Sequence, residues 1–164
     1  MELTLSSQPN SVKSVVDAIN KNSNPNPYPT LPTHQIIIST LLAYLIPGSG
    51  HMYLGHWRRG LAFFASIYTM FFLGIALQGH FYGFHIEPGA GRLSLLLTFA
   101  NAGTGLGYYV LYALHSFAGI SIGFGAPQAE ASTYEYANTF LWTAGLLNYL
   151  VTMDSYDIAD GRKN

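Results

Sequence analysis

Three long stretches without Asp, Glu, Lys or Arg constrain the fold of this chain more than any other feature. They cover residues 60–79, 93–129 and 136–153. An apolar segment of about 18 to 25 residues can cross a hydrocarbon core about 30 Å thick, and a helix satisfies its own backbone hydrogen bonds there. A surface helix of a water-soluble protein would instead carry one charged face. The stretches therefore predict an integral membrane protein.

The expected fold is an all-α, polytopic integral membrane helical bundle of about four transmembrane helices within residues 34–155. The first apolar segment, Ile36 to Ile46, is short for a full span and is followed directly by Pro47-Gly48. Proline lacks a backbone donor and glycine permits left-handed dihedral angles, so we expect the helix to end or kink there. The other three predicted helices cover residues 60–77, 92–118 and 136–153.

Polar tails flank the predicted membrane domain. Residues 1–33 contain NSVKSVVDAINKN, in which valines and an isoleucine recur at helical spacing, and this predicts a short amphipathic helix on a membrane or a partner. A frayed tail is the alternative. The Pro-rich NSNPNPYPTLPT that follows favours an extended linker, which is either solvated or a strap across a neighbouring subunit. Residues 156–164 form a polar C-terminal tail.

The stretch LIPGSGHMYLGHWRRG at residues 45–60 could be a catalytic loop, a metal site or a turn between membrane segments. Its proline and glycines favour a structural turn, since they allow the backbone to reverse and to approach a neighbouring helix. Aromatic side chains suit headgroup depth and arginines suit lipid phosphates. The predicted turn residues are Pro47, Gly48, Gly50, Tyr53 and Gly55, and the predicted interface residues are Trp57, Arg58 and Arg59.

The longer segment AYLIPGSGHMYLGHWRRGLAFF resembles the signature of the TM2-domain family and its bacterial relatives, including uncharacterised four-helix membrane proteins with a PGxGHxYLG motif. The resemblance covers about a third of the chain, with AGLLNYLVTMDSYDIADGRK at its C-terminal end. It implies a small helical membrane protein and is nearly silent on activity. The matching residues are Pro47, Gly48, Gly50, His51, Tyr53, Leu54, Gly55, Arg59 and Gly60.

The orientation in the membrane is predicted from the positive-inside rule. Four spans place both tails, with Lys13 and Lys163, on one side, and the rule assigns that side to the cytoplasm. The Arg58-Arg59 pair also favours the cytoplasm but would then lie on the opposite side. A first segment that re-enters rather than crosses would bring Lys13 and this pair together, although it would move the C-terminal tail. We expect four spans with cytoplasmic termini.

Two histidine patterns suggest cofactor or metal hypotheses. His51 and His115 could ligate a haem from facing helices, since intramembrane histidine pairs can do so, although a histidine hydrogen-bonded to a carbonyl explains each of them as well. His80, His85 and Glu87 share one Gly-rich loop, and their residue types suit zinc or iron. A wet interface loop is the alternative, and the sequence requires no cofactor.

Helix packing is the expected role of polar and small residues inside the spans. Asn101 and Asn148 lie within predicted helices, where such side chains usually hydrogen-bond across helices. Gly103 and Gly107 form a small-xxx-small spacing that favours close packing. The chain has no cysteine for thiol chemistry. Its charge-free spans do not resemble an ion-coupled transporter.

These patterns favour a non-catalytic integral membrane protein, a small accessory subunit of a larger respiratory or photosynthetic complex, in the bacterial inner membrane. Its expected partners are the lipid bilayer and other membrane subunits, and a net charge of −1 argues against nucleic acid. A histidine-ligated haem or metal redox protein is the first alternative. A small-molecule or lipid transporter is the second.

Overall fold

Seven helices and their connections make up the part of the chain that the computed structural model describes, residues 9–22, 28–84, 92–124 and 132–163. These ranges contain no strand, so the all-α prediction is confirmed. The helices are α1 (Pro9–Asn22), α2 (Thr33–Leu45), α3 (Ser49–Tyr53), α4 (Trp57–Ala76), α5 (Arg92–Ala102), α6 (Leu106–Ala118) and α7 (Tyr134–Ala159).

The two longest helices, α4 and α7, pack against each other in antiparallel orientation. Gly74 near the end of α4 lies against Leu141 in the first half of α7. Just past α4, the carbonyl of Leu77 accepts a hydrogen bond from Thr133 at the start of α7, at 3.3 Å. A small residue at the crossing allows the two backbones to approach closely. The helical segments that reverse direction, described next, pack against this pair.

The first apolar segment folds back on itself. Leu31, just before α2, donates to the carbonyl of Ala159 at the end of α7, and α2 then runs along α7 as far as Asn148. The chain reverses at Gly48, which has a φ of +79°, and α3 returns along α7 so that Gly50 lies against Ser155. Residues 33–53 are therefore a helical hairpin, called hairpin 1 below. The predicted break at Pro47-Gly48 is where the chain turns.

The predicted single helix over residues 92–118 is wrong, because this segment is a second hairpin. Thr98 of α5 donates to the carbonyl of Gly83 at 3.0 Å, and α5 ends at Ala102. Gly105 has a φ of +72° and a ψ of −136°, which turns the chain, and Tyr108 of α6 then donates back to the carbonyl of Tyr82 at 2.7 Å. Residues 92–118 are called hairpin 2.

The two hairpins approach the middle of α7 from opposite ends. Hairpin 1 starts beside Ala159, at the C-terminal end of α7, whereas hairpin 2 starts and finishes near the residues that follow α4, beside the N-terminal end of α7. The helix α7 extends to Ala159, beyond the predicted end at residue 153. The four-span arrangement expected from the sequence does not match this topology.

Among the described helices, α4 alone is both long enough and apolar enough to cross a membrane, with 20 residues and a mean hydropathy of 1.5. The helix α2 is apolar but shorter. The predicted tail helix is present as α1. The last part of the Pro-rich linker lies against the segment that follows α7, since the backbone amide of Tyr28 donates to the carbonyl of Gly161 at 3.1 Å.

Candidate functional site

The tips of the two hairpins meet at one side chain, Asn148 in the middle of α7. Its Nδ2 donates to the carbonyl of Tyr44 at the end of α2 and to the carbonyl of Gly103 at the end of α5, both at 2.9 Å. Asn148 is fully buried. Asn148, which the sequence analysis expected to hydrogen-bond across helices, bonds backbone carbonyls rather than side chains.

Side chains also bind the other carbonyls at the end of α5. The last four carbonyls of any helix lack partners within it and need other donors when they are buried. The side-chain donors to this end are Tyr149 Oη to Phe99, Thr104 Oγ1 to Asn101, Tyr44 Oη to Ala102 and Asn148 Nδ2 to Gly103. At the other tip, Ser49 Oγ lies 2.6 Å from the carbonyl of Leu42. Side chains thus satisfy the backbone carbonyls at the helix ends where the two hairpins turn.

Glycines allow the tips to touch backbone to backbone. A Cβ atom on Gly105 would meet the carbonyl oxygen of Tyr44, and one on Gly145 in α7 would meet the carbonyl oxygen of Ala100. A Cβ on Gly103 would meet Gly145. Gly107 lies beyond the turn and packs on the ring of Phe71 instead. The predicted packing of Gly103 and Gly107 occurs, but on two different helices rather than on one face.

One amide at this junction has no partner. Asn101 is fully buried in α5, and neither its Oδ1 nor its Nδ2 has a hydrogen-bond partner within the described residues. The Oδ1 of Asn148 is likewise without a partner there. A buried polar atom without a partner costs about 1 to 3 kcal/mol. The junction therefore retains hydrogen-bonding capacity that its own side chains do not use.

A second polar cluster ties hairpin 1 to the end of α7. His51 in α3 is fully buried, and its Nε2 lies 3.0 Å from Oδ2 of Asp154. The other oxygen of Asp154 accepts a hydrogen bond from Lys163 at 2.8 Å. The imidazole also packs edge-on against the ring of Phe63 in α4. One carboxylate thus links the hairpin, α7 and the C-terminal tail.

The charges of this cluster stabilise one another. Burial alone would raise the pKa of Asp154, but hydrogen bonds from Lys163 and His51 outweigh burial and hold it below its ordinary value. The same contact raises the pKa of Lys163, which is fully exposed. The Nδ1 atom of His51 has no partner within the described part of the chain. The cluster is therefore an ion pair at a polar rim with one buried ring.

The two histidines predicted to hold a haem are not brought together. His51 contacts Phe63 near the start of α4, whereas His115 stacks on Phe124, which in turn stacks on Phe81 beyond the end of α4. Phe81 packs on Phe71, α4 rises about 12 Å from Phe63 to Phe71, and Phe124 lies between Phe81 and His115. One iron requires both ligands within its own coordination shell. The hypothesis that these two residues share a haem does not fit this arrangement.

The predicted metal loop lies mostly outside the described residues, since His85 and Glu87 fall in the range 85–91. The backbone amide of His80 donates to Oδ1 of Asn138 at 2.8 Å, and its ring packs against Tyr82. His80 therefore helps to fix the start of the connection after α4.

The predicted interface residues lie at the end of the molecule where α7 finishes. Trp57 is 65% exposed and Tyr53 is 48% exposed, and Arg58 and Arg59 are exposed beside them. Gly55 has a φ of +85° with open space around it, so glycine is needed there for its dihedral angle. By contrast, a Cβ on Gly48 would meet the carbonyl of Gly60, so the backbone of the turn lies close to the start of α4 there.

Several residues of the site were not predicted from the sequence. The polar side chains of Tyr44, Thr104 and Ser155 reach the junction or the His51 cluster, and Asp154 was expected beyond the last helix rather than on it. The signal for Thr104 was its place between two glycines. The partnership of His51 with Asp154 spans 103 residues and follows from the reversal of hairpin 1.

The molecule is an all-helical protein with two long antiparallel helices and two opposed hairpins that meet at a buried asparagine. The chain belongs to a family of unknown function, DUF6677, whose model matches residues 38–164. The match includes the turn of hairpin 1, the whole of hairpin 2 and both polar clusters. No curated protein and no solved structure matches the chain.

Proposed function

We propose that the chain is an integral membrane protein in which α4 and α7 cross the bilayer and the two hairpins enter it from opposite sides. The observation that carries this proposal is the distribution of polarity. Ser39, Asn101 and Asn148 are fully buried, whereas Leu96, Leu150 and Phe72 are each more than 60% exposed. Water-soluble proteins rarely expose large contiguous apolar surfaces. The outer faces of α2, α4, α5 and α7 all share this apolar exposure.

The backbone of both hairpins supports the same environment. Non-helical backbone at membrane depth is tolerated where protein buries it or where it lines a water-filled cavity. Here the turns lie against α7, and the carbonyls of Tyr44 and Gly103 are bonded by Asn148. The 20 residues of α4 would rise about 30 Å, the thickness of a typical hydrocarbon core. The spanning part of α7 ends at Met153, so that Asp154 lies at the membrane surface.

Within the membrane we infer a non-catalytic role, as an accessory subunit that packs against other membrane proteins. The interior side chains of the junction mainly bond the protein's own carbonyls, which is a structural use. A partner helix could bind in a groove of about 430 Å³ between α2 and α7. It is lined by Ile36, Ile37, Thr40, Leu41, Tyr44, Thr152 and Tyr156. The resemblance to TM2-domain proteins is compatible with this role and adds no activity.

Site-specific photo-crosslinking in native membranes tests the subunit role. A photoreactive residue replaces Leu41 in the groove, and a matched variant carries it at Phe117, which is 92% exposed at the end of α6. We expect Leu41 to crosslink to one discrete membrane protein and Phe117 to give only lipid adducts. Lipid adducts alone at both positions, with a monodisperse monomer in mild detergent, would contradict the subunit role.

A transporter for small uncharged solutes is the second candidate function, and one observation favours it. Opposed half-helices that meet near the midplane are a recurrent way to build a binding site in transporters, and Asn101 has a free amide at this place. The test is solute uptake in proteoliposomes, with glycerol and urea as probes. Uptake that is lost in Asn101→Leu but kept in Thr139→Ala, an exposed site on α7, would favour this function. Equal, background uptake by all three proteins would exclude it.

A further inference from the structure

The helix α1 carries an apolar stripe that nothing in the described chain covers. Val12, Val15, Val16 and Ile19 recur at helical spacing and are between 48% and 60% exposed. Lys13 and Asp17 are also exposed and occupy other faces of the helix. Isolated helices of this length are marginal in water, and β-branched residues are not strong helix formers. A helix of this composition therefore needs a surface on which to bury its stripe.

The chain holds α1 close to one end of the molecule. Tyr28 and Leu31 are hydrogen-bonded to the carbonyls of Gly161 and Ala159, just at the end of α7. Six residue steps separate Asn22, the last residue of α1, from Tyr28, and they span at most about 20 Å. If α7 leaves the bilayer near Asp154, α1 cannot move far from the headgroup layer.

The charges at this end identify the surface. This end of the molecule comprises the N-terminal tail with α1, the C-terminal tail, the turn after α3 and the start of α4. Six of the seven Lys and Arg residues of the chain lie in these segments, and Arg92 alone lies at the start of hairpin 2. The six are Lys13, Lys21, Arg58, Arg59, Arg162 and Lys163. Arg162 and Lys163 form ion pairs with Asp154, Asp157 and Asp160, so the attraction to lipid falls mainly to the two lysines of α1 and to the arginine pair at the start of α4. Basic groups next to a membrane are attracted to anionic lipid.

We propose that α1 is an interfacial anchor that lies on an anionic bilayer beside the end of α7 and buries Val12, Val15, Val16 and Ile19 among the acyl chains. This inference rests on the proposed membrane insertion of α4 and α7. An amphipathic helix binds such a surface through its apolar area and through attraction of its basic residues to anionic lipid. In α1, Lys13 and Lys21 outnumber Asp17.

Spin-label accessibility in the full-length protein tests the anchor. Because the chain has no cysteine, single variants Ile19→Cys, Asp17→Cys and Leu146→Cys can each carry one nitroxide. The proteins are reconstituted without partners in vesicles of phosphatidylcholine, with or without phosphatidylglycerol. With phosphatidylglycerol we expect the label at Ile19 to be reached by oxygen and shielded from a water-soluble nickel chelate. The label at Asp17 should show the reverse, and the label at Leu146 should report lipid in both kinds of vesicle.

Each remaining outcome is decisive. If the label at Ile19 is accessible to the chelate while the label at Leu146 reports lipid, the anchor is contradicted and the proposed membrane insertion is not. In that case α1 would bind a protein partner. Chelate access at both Ile19 and Leu146 would overturn the proposed function itself. Shielding of Ile19 that is the same without phosphatidylglycerol would overturn the preference for anionic lipid.

Discussion

Asn148 has an unusual role for a single side chain, since it bonds the ends of two helices that are distant in sequence. Its amide satisfies the carbonyls of Tyr44 and Gly103, which belong to different hairpins. The bond to Gly103 is buried and the bond to Tyr44 is partly buried, so water replaces the lost donor poorly. Inside a protein of low polarity such bonds are strong, and their loss is correspondingly costly.

We therefore expect Asn148→Ala to lower the stability of the fold by about 1 to 3 kcal/mol for each carbonyl left unbonded. Thr139→Ala removes a hydroxyl from the same helix at an exposed position where it bonds only its own backbone, and it serves as the control. The measurement is the midpoint of thermal unfolding in detergent. Equal midpoints for the two variants would show that the junction does not depend on this amide.

Asp154 makes the stability of the molecule depend on pH in the acid range. Because its pKa is lowered in the folded state, its contribution is present above the ordinary carboxyl pKa and is lost as the pH falls through the folded value. We expect unfolding midpoints to fall below about pH 4 and the fall to be smaller in Asp154→Asn. The matched control is Asp17→Asn on the exposed surface of α1, which should keep the full acid dependence.

Lys163 extends the same argument to alkaline pH. Its pKa is raised by Asp154, so its contribution is fully present below the ordinary lysine value and is lost as the pH rises through the raised value of the folded state. Since the ammonium is fully exposed, this effect is expected to be smaller than the acid one and to weaken in salt.

At the scale of the elements, close contact between backbones holds the hairpins in place. A Cβ at Gly145 would strike the backbone carbonyl of Ala100, and a Cβ at Gly50 would strike Ser155, Ser39 and Ala43. At Gly107 the nearest atoms belong to the ring of Phe71, 3.0 Å away, which can move. The neighbouring atoms at these three positions differ in how far they can move, and this difference predicts the order in which the Gly→Ala variants lose stability.

We expect Gly145→Ala to destabilise most, then Gly50→Ala, and Gly107→Ala least, with about 1 to 3 kcal/mol for a typical overpacked site. Circular dichroism during heating gives the three midpoints. Helical content at low temperature should stay close to that of the parent protein, which separates loss of packing from failure to fold. An equal effect at all three positions would mean that the turns are free to shift.

The sequence predicts the helices better than their directions. The length of a charge-free stretch identifies an apolar segment, but it is the same for one long helix and for a hairpin. For this reason the sequence predicts one span over residues 92–118. The glycines flanking Thr104 were visible, yet glycine inside an apolar helix is also common at packing contacts. The shortness of the segment before Pro47 was a more reliable signal. Contacts such as that of His51 with Asp154 depend on the register of two helices, and no local pattern specifies it.

At the scale of the whole molecule, the hairpins change the balance of charge between its two ends. In a four-span chain Arg58 lies opposite both termini. In the proposed topology α2–α3 and α5–α6 each return to the side that they entered, so Arg58 joins the termini and Arg92 lies opposite. The positive-inside rule is then satisfied by six of seven cations. The conflict between the tails and the Arg58-Arg59 pair does not arise when both hairpins return to the side that they entered.

Labelling from one side of the membrane distinguishes these two topologies. Single cysteines at Lys13, Arg58, Arg92 and Ile122 in the cysteine-free chain are treated with a membrane-impermeant maleimide in right-side-out spheroplasts and in inverted vesicles. Because each hairpin returns to its own side, Lys13 and Arg58 should react only in inverted vesicles, and Arg92 and Ile122 only in spheroplasts. Four crossing helices would exchange the results at Arg58 and Arg92 while leaving those at Lys13 and Ile122 unchanged, so these two positions alone decide between the topologies.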